Sequence, residues 1–137
     1  MDEQTAAEQK HQILVVDDSE DMRVLLQRLL ERAGYRVVLA EDGRASLTQA
    51  KLHHPDLILM DLSLPDIDGW EAVGYLRKMS EFRTTPIIAV TAHVSPMEEE
   101  RAIAAGCTAH IGKPFNTRAL LQVIERLLIG DFDVQKK

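Results

Sequence analysis

Four short runs that are apolar at every position punctuate the chain: 13–16 (Ile-Leu-Val-Val), 37–40 (Val-Val-Leu-Ala), 57–60 (Leu-Ile-Leu-Met) and 87–90 (Ile-Ile-Ala-Val). A weaker fifth lies at 109–111. Apolar residues at consecutive positions, not alternate ones, suit parallel strands covered by helices on both faces, so these runs predict five strands of one buried sheet. Between them the period changes. Met22, Leu25, Leu26, Leu29 and Leu30 form one stripe at helical spacing, and Leu120, Val123, Ile124, Leu127 and Leu128 form another. Ser19 and Asn116 stand where helix N-caps belong, and Gly34 and Gly106 follow helical segments as left-handed C-terminal residues do. Three middle helices are fainter, at 47–52, 70–79 and 97–105; the second contains Gly74, which costs about 1 kcal/mol relative to Ala in a helix interior. Five strand-helix units with tight connections predict a doubly wound α/β fold with right-handed crossovers. The expected fold is a flavodoxin-like five-stranded parallel sheet in the order 2-1-3-4-5 with five helices.

Composition narrows the picture without changing it. The 137 residues fit one domain, and 45% apolar with 28% charged residues are the proportions of a chain that folds around a core. The expected division is a domain over 11–129 with short tails at 1–10 and 130–137. Sixteen basic against twenty-two acidic residues leave a net charge of −6 with no basic stripe, which argues against direct nucleic-acid binding. No apolar run approaches the roughly 20 residues of a membrane span. The polar first dozen residues carry no signal-peptide pattern, and the single Cys107 cannot form an internal disulfide, so a cytoplasmic location is expected.

In open α/β sheets functional groups collect beyond the carboxyl ends of the strands. Here the first strand runs into Asp17 and Asp18, the third into Asp61, the fourth into Thr91, and the fifth into Lys113 and Pro114. Taken singly, each reads as a helix cap or a loop residue. Taken together, they bring three mutually repelling carboxylates to one edge, an arrangement that a cation relieves, with Mg²⁺ the oxygen-preferring candidate. Lys113 adds positive charge beside them.

These residues resemble the receiver domain of two-component response regulators, the family that includes the single-domain chemotaxis regulator. The resemblance covers residues 11–129. It rests on the Asp17-Asp18 pair after Ile-Leu-Val-Val, on Asp61 in Leu-Ile-Leu-Met-Asp-Leu-Ser-Leu-Pro-Asp-Ile-Asp-Gly, on Thr91-Ala92 after Ile-Ile-Ala-Val, and on Lys113-Pro114-Phe115. It implies that Asp61 accepts a phosphoryl group as nucleophile. Asp18, Asp61 and the backbone carbonyl of Ser63 would hold Mg²⁺, with Asp17 holding it partly through water. Lys113 would pair with Asp61 before reaction, Thr91 would donate its hydroxyl to the phosphoryl group, and Ala92 would leave room for its entry. The resemblance also implies a cis Lys113-Pro114 bond and a loop shaped by Pro65 and Gly69, although ordinary turn chemistry accounts for those two residues equally well. The implied donor is a sensor histidine kinase or a histidine phosphotransfer protein. The implied output passes through the face of helix four, strand five and helix five to a separate protein, from a monomer or weak dimer.

Other positions carry open readings. The family often has Tyr or Phe three residues before the lysine; here it is His110, read either as a switch moving with Thr91 or as an exposed loop-end residue. Ser63 and His93 stand where the lifetime of the acyl phosphate would be tuned. His53 and His54 match no zinc spacing and read as surface residues, Cys107 as a small buried hydrophobe, and Glu98 to Glu100 as a solvated helix face. A haloacid-dehalogenase-like phosphatase would need a second acid two residues after the nucleophile, where Ser63 stands. The alternatives within the family are a phosphate-independent scaffold and a receiver excised from a hybrid kinase or larger regulator.

Overall fold

The computed structural model describes residues 10–130 except 65, 93 and 94. The expected tails at 1–10 and 130–137 therefore lie almost wholly outside the described residues. In chain order the elements are β1 (Gln12–Val16), α1 (Glu20–Arg32), β2 (Arg36–Ala40), α2 (Gly43–His53), β3 (Leu57–Asp61), α3 (Gly69–Lys78), a 3₁₀ turn (Ser80–Phe82), β4 (Ile87–Thr91), α4 (Pro96–Ala105), β5 (Ala109–Gly112) and α5 (Thr117–Leu128). All strand pairs are parallel, as the apolar runs predict, and the order is β2-β1-β3-β4-β5, the flavodoxin-like order expected.

Alternation along each strand sorts the core into two layers. Leu14, Val16, Ile58, Met60, Ile87 and Ala89 face α2, α3 and α4, packing with Ala50, Ala72, Val73, Leu76 and Ala102. Ile13, Val15, Leu57, Leu59, Ile88 and Val90 face α1 and α5, packing with Leu26, Leu30, Leu120, Ile124 and Leu127. β3 and β4 are buried at every position, which is why no polar alternation marks them in the sequence.

The edges depart from the expectation of a wholly buried sheet. Val37, Val38 and Leu39 of β2 are only half-buried, because an edge strand has a neighbour on one side alone. Leu25, assigned to the first stripe, is 51% exposed and belongs to neither layer of the core. α2 begins four residues earlier than the apolar pattern indicates. Its first turn is Gly-Arg-Ala-Ser, with Gly43 and Ser46 buried, and Asp42 caps it by accepting from the Ala45 N–H. Small residues buried against a neighbouring loop carry no apolar signal. α3 stops at Lys78, with Met79 as its cap. Gly34 and Gly106 do adopt left-handed conformations, at φ 101° and 113°. Among the described residues no helix is long and apolar enough to cross a membrane.

Candidate functional site at the carboxyl edge of the sheet

In a right-handed parallel sheet every strand-to-helix connection emerges at the same edge. Each helix here starts with a side-chain cap there: Ser19, Asp42, Asp68, Ser95 and Asn116 accept from amides of α1 to α5 respectively. The positive ends of the helix dipoles thus gather on the edge to which β1 and β3 deliver their carboxylates. Oxygens of Asp17, Asp18 and Asp61 all lie within 4.8 Å of one another. Asp17 and Asp61 are buried at 2% and 4% exposure, whereas Asp18 is exposed.

The two buried carboxylates are held in the same way. Oδ1 of Asp17 accepts from the Ser19 N–H at 2.9 Å, and Oδ1 of Asp61 accepts from the Ser63 N–H at 3.0 Å. Each is a turn closed by the amide two residues ahead. This leaves the two Oδ2 atoms to Lys113, whose Nζ lies 3.0 Å from Asp17 and 3.7 Å from Asp61. The expected pairing of Lys113 with Asp61 is present as the longer ion pair, and Asp17, which takes the hydrogen bond, is a second partner that the sequence did not indicate. One ammonium shared by two carboxylates lowers its energy by standing between them. Lys113 is aimed by its own backbone N–H, which donates to the Thr91 carbonyl at 2.7 Å, and it precedes a cis peptide bond to Pro114.

Electrostatics follow from this geometry. Burial pushes the Asp61 carboxyl above its ordinary value, assisted by Asp17 and Asp18 and opposed by the Ser63 amide and Lys113. Burial alone would lower Lys113, but the Asp17 hydrogen bond and the nearby carboxylates outweigh it and hold the ammonium above its ordinary value. Three carboxylates against one ammonium leave an excess of negative charge among hard oxygen donors, which suits a small divalent cation. Asp17, Asp18 and Asp61 are the groups placed to hold one.

Thr91 ends β4 at 3% exposure and Ala92 follows it, exposed. His110 lies within β5 at 9% exposure, so the alternative of an exposed loop-end residue does not hold; in β5 it pairs in register with Ala89. His93 and Pro65 lie outside the described residues. Gly69 is required by close approach, because a Cβ there would stand 2.5 Å from both the Asp61 carbonyl oxygen and the Leu62 Cα. His53 and His54 are exposed and Cys107 is buried, as expected. Burial pushes the Cys107 thiol up to about 12.

Two contributors escaped the sequence reading. Arg23 in α1 donates Nη1 to the Asp17 carbonyl at 2.7 Å, bracing the backbone beneath the cluster. Its only signal is a charged residue one turn after the Ser19 cap. Asp66 reaches from the β3-α3 connection to the start of α2, where its carboxylate accepts from Gly43 and Arg44. It sits inside the motif around Asp61, but its spacing to α2 is visible only in three dimensions.

A flavodoxin-like domain with an acidic pocket and a lysine at the carboxyl edge of its sheet has the architecture of a two-component signalling module. The chain belongs to the response regulator receiver domain family, whose profile matches residues 13–125. It is 39% identical over 119 residues to the polar-differentiation response regulator DivK of Brucella ovis, covering 87% of this chain and 96% of that protein. Among solved structures it resembles the Vibrio cholerae chemotaxis protein CheY4, with a TM-score of 0.82, 36% identity, and coverage of 85% of this chain and 98% of that one. It also resembles the receiver domain of the Pseudomonas aeruginosa sensor histidine kinase PA1611, with a TM-score of 0.82, 32% identity, and coverage of 88% and 99%. That structure holds a magnesium ion in its active-site cleft.

Proposed function

We propose that this receiver is a phosphoacceptor that takes a phosphoryl group on Asp61 from a phosphohistidine donor, a sensor histidine kinase or a histidine phosphotransfer protein. The observation that carries the reading is the buried carboxylate of Asp61, anchored through Oδ1 and facing the Lys113 ammonium through Oδ2. In the transfer a carboxylate oxygen of Asp61 bonds to phosphorus while the bond from phosphorus to the donor's imidazole nitrogen breaks; the proton on the donor's other ring nitrogen stays there, leaving an acyl phosphate and a neutral histidine. Mg²⁺, when bound, supplies charge neutralisation for the nucleophile and the transferring group. Asp18, Asp61 and the Ser63 carbonyl would hold it, with Asp17 beside them contributing further negative charge.

The chain's own groups do the rest by position and charge. Lys113 shifts from the carboxylates to a phosphoryl oxygen, a short movement for a flexible stem already between the two. Thr91 donates its hydroxyl to another phosphoryl oxygen, and the small Ala92 leaves the approach open. His110, buried in β5, changes rotamer as Thr91 moves and alters the face formed by α4, β5 and α5, where a separate protein reads the signal. Ser63 and His93 flank the path of the hydrolytic water and set the lifetime. Beyond assisting its own phosphorylation and slow dephosphorylation the protein is not an enzyme. The reading includes a domain over 11–129, a cytoplasmic location, a monomer or weak dimer, and no direct nucleic-acid contact.

Intact-protein mass spectrometry after incubation with Mg²⁺ and a small phosphodonor tests the chemistry. A single phosphoryl increment is expected in the wild type, and none in Asp61→Asn or with EDTA. No increment on folded protein with an active donor would overturn the proposal in favour of a phosphate-independent scaffold. Side-chain NMR of His110 with and without a phosphoryl mimic tests the switch, and an unchanged rotamer removes it.

A further inference from the structure

The connection between β3 and α3 is pinned at two places. At its base the Gly69 N–H donates to the Leu62 carbonyl at 3.2 Å, and the Gly69 Cα packs directly on the backbone of Asp61 and Leu62. At its far side the Asp66 carboxylate grips the first turn of α2. Oδ1 accepts from the Gly43 N–H at 2.8 Å and Oδ2 from the Arg44 N–H at 3.0 Å. Asp42, the cap of the same helix, takes a different amide, that of Ala45, so the two acids divide the unpaired donors of α2 between them. The fit is close: a Cβ on Gly43 would collide with the Ile67 carbonyl oxygen and Cβ. The amides of Arg44, Gly43 and Ile67 outweigh the desolvation that raises Asp66 and hold its carboxyl below the usual carboxylate range. Arg44 adds little, since its guanidinium is 3.9 Å away and 79% exposed.

Between these two pins lies Ser63, whose N–H orients Asp61 and whose carbonyl the proposed function gives to the metal. We infer that Asp66 is a positioning residue for Mg²⁺: by clamping the connection to α2 it fixes the Ser63 peptide in the metal-binding orientation, although it touches no ligand of the ion. The inference rests on the phosphoacceptor reading. A cap that merely stabilised α2 would have no reason to act on the metal, and Asp42 supplies the comparison, because it caps the same helix without reaching the connection.

The test is the Mg²⁺ dependence of the urea unfolding midpoint of the full chain, which yields an apparent Kd for any ion bound only by the native state. Asp66→Ala and Gly43→Ala are expected to weaken Mg²⁺ on the order of tenfold, the usual effect of removing a partner that orients a ligand. Asp66→Asn, which keeps one accepting oxygen, is expected to fall between and serves where the alanine variant does not fold. Asp42→Ala is expected to lower the midpoint at every Mg²⁺ concentration and leave Kd unchanged. An unchanged Kd in Asp66→Ala or Asp66→Asn, or an equal loss in Asp42→Ala, overturns the inference while wild-type binding preserves the phosphoacceptor reading. A wild type whose midpoint ignores Mg²⁺ overturns both.

Discussion

Replacing Lys113 with methionine keeps most of the aliphatic stem and deletes the charge that Asp17 and Asp61 face. The ammonium stands 3.0 Å and 3.7 Å from two carboxylate oxygens whose side chains are only 3% and 5% exposed. At an effective dielectric near 20, each pair attracts by about 5 kcal/mol before desolvation is counted. Removing one partner of a buried pair costs about 3–5 kcal/mol, because the other charge stays buried and uncompensated. Lys113 retains 23% exposure, so water reaches the vacated space and the loss should be about 2–3 kcal/mol. Urea unfolding in EDTA near neutral pH measures it as a drop in midpoint at constant slope. The pH dependence has a defined sign. Lys113 is held above its ordinary 10.5, so its contribution is fully present below that value and is lost as pH rises through the folded value. Mg²⁺ at a hundred times its Kd should return about 2.7 kcal/mol, since the ion then supplies the missing charge. A variant within about 0.5 kcal/mol of wild type in EDTA would refute the reasoning. So would a double variant in which Asp61→Asn recovers nothing, because the loss would then not arise from stranded carboxylates.

Asp61→Asn should stabilise the metal-free protein at neutral pH. The Asp61 carboxyl is raised first by burial and then by its acidic neighbours, so its contribution is fully present below the ordinary 3.8 and is lost as pH rises through the folded value. Unfolding in EDTA along a pH series should show the gap closing towards acid, and an asparagine variant less stable than wild type near pH 7 would contradict this. Cys107, 7% exposed with its thiol pushed up to about 12, should react with iodoacetamide near pH 8 only as fast as the protein opens. Labelling at the rate of a free cysteine would show that the thiol is accessible. The glycines of α3 should respond in opposite directions. Gly69→Ala drives a methyl into the backbone of Asp61 and Leu62 and should cost about 1–3 kcal/mol, whereas Gly74→Ala, with nothing within 4 Å, should gain about 0.5–1 kcal/mol. Urea midpoints of the two variants decide it, and equal shifts would mean that the close approach at Gly69 relaxes freely.

Legibility in the sequence followed burial. β1, β3 and β4 were readable because burial on both faces demands unbroken apolar runs, and their parallel pairing followed from the alternation with helices. The first turn of α2 was not, because what it buries is Gly43, against Ile67, and Ser46, and contacts made by small residues leave no hydrophobic period. The site divides in the same way. Asp17, Asp18, Asp61, Thr91 and Lys113 stand at strand ends, where the fold rule says to look, and the structure brings all three carboxylates and the lysine together. Which carboxylate takes the lysine's hydrogen bond depends on differences below an ångström that no spacing encodes. Arg23 and Asp66 act through backbone atoms of distant segments, and a backbone partner has no sequence signature.

The arrangement of the two buried acids explains how the edge tolerates its own charge. A backbone amide two residues ahead satisfies Oδ1 of each acid, at a cost already met by the turn that leads into α1 or into the β3-α3 connection. Both Oδ2 atoms then point to one place, and the lysine stem reaches that place from the opposite edge strand, so β1, β3 and β5 must all be in register for the charges to balance. Folding is therefore what assembles the site, and the site in turn depends on the sheet being complete. Asp18 remains exposed and outside this exchange, and it contributes negative charge that no described lysine or arginine bridges. The domain consequently holds the Asp61 carboxylate in a fixed orientation yet under-neutralised, with the exposed Asp18 charge open to solvent, which is the condition under which an incoming cation finds an oriented set of oxygens to bind.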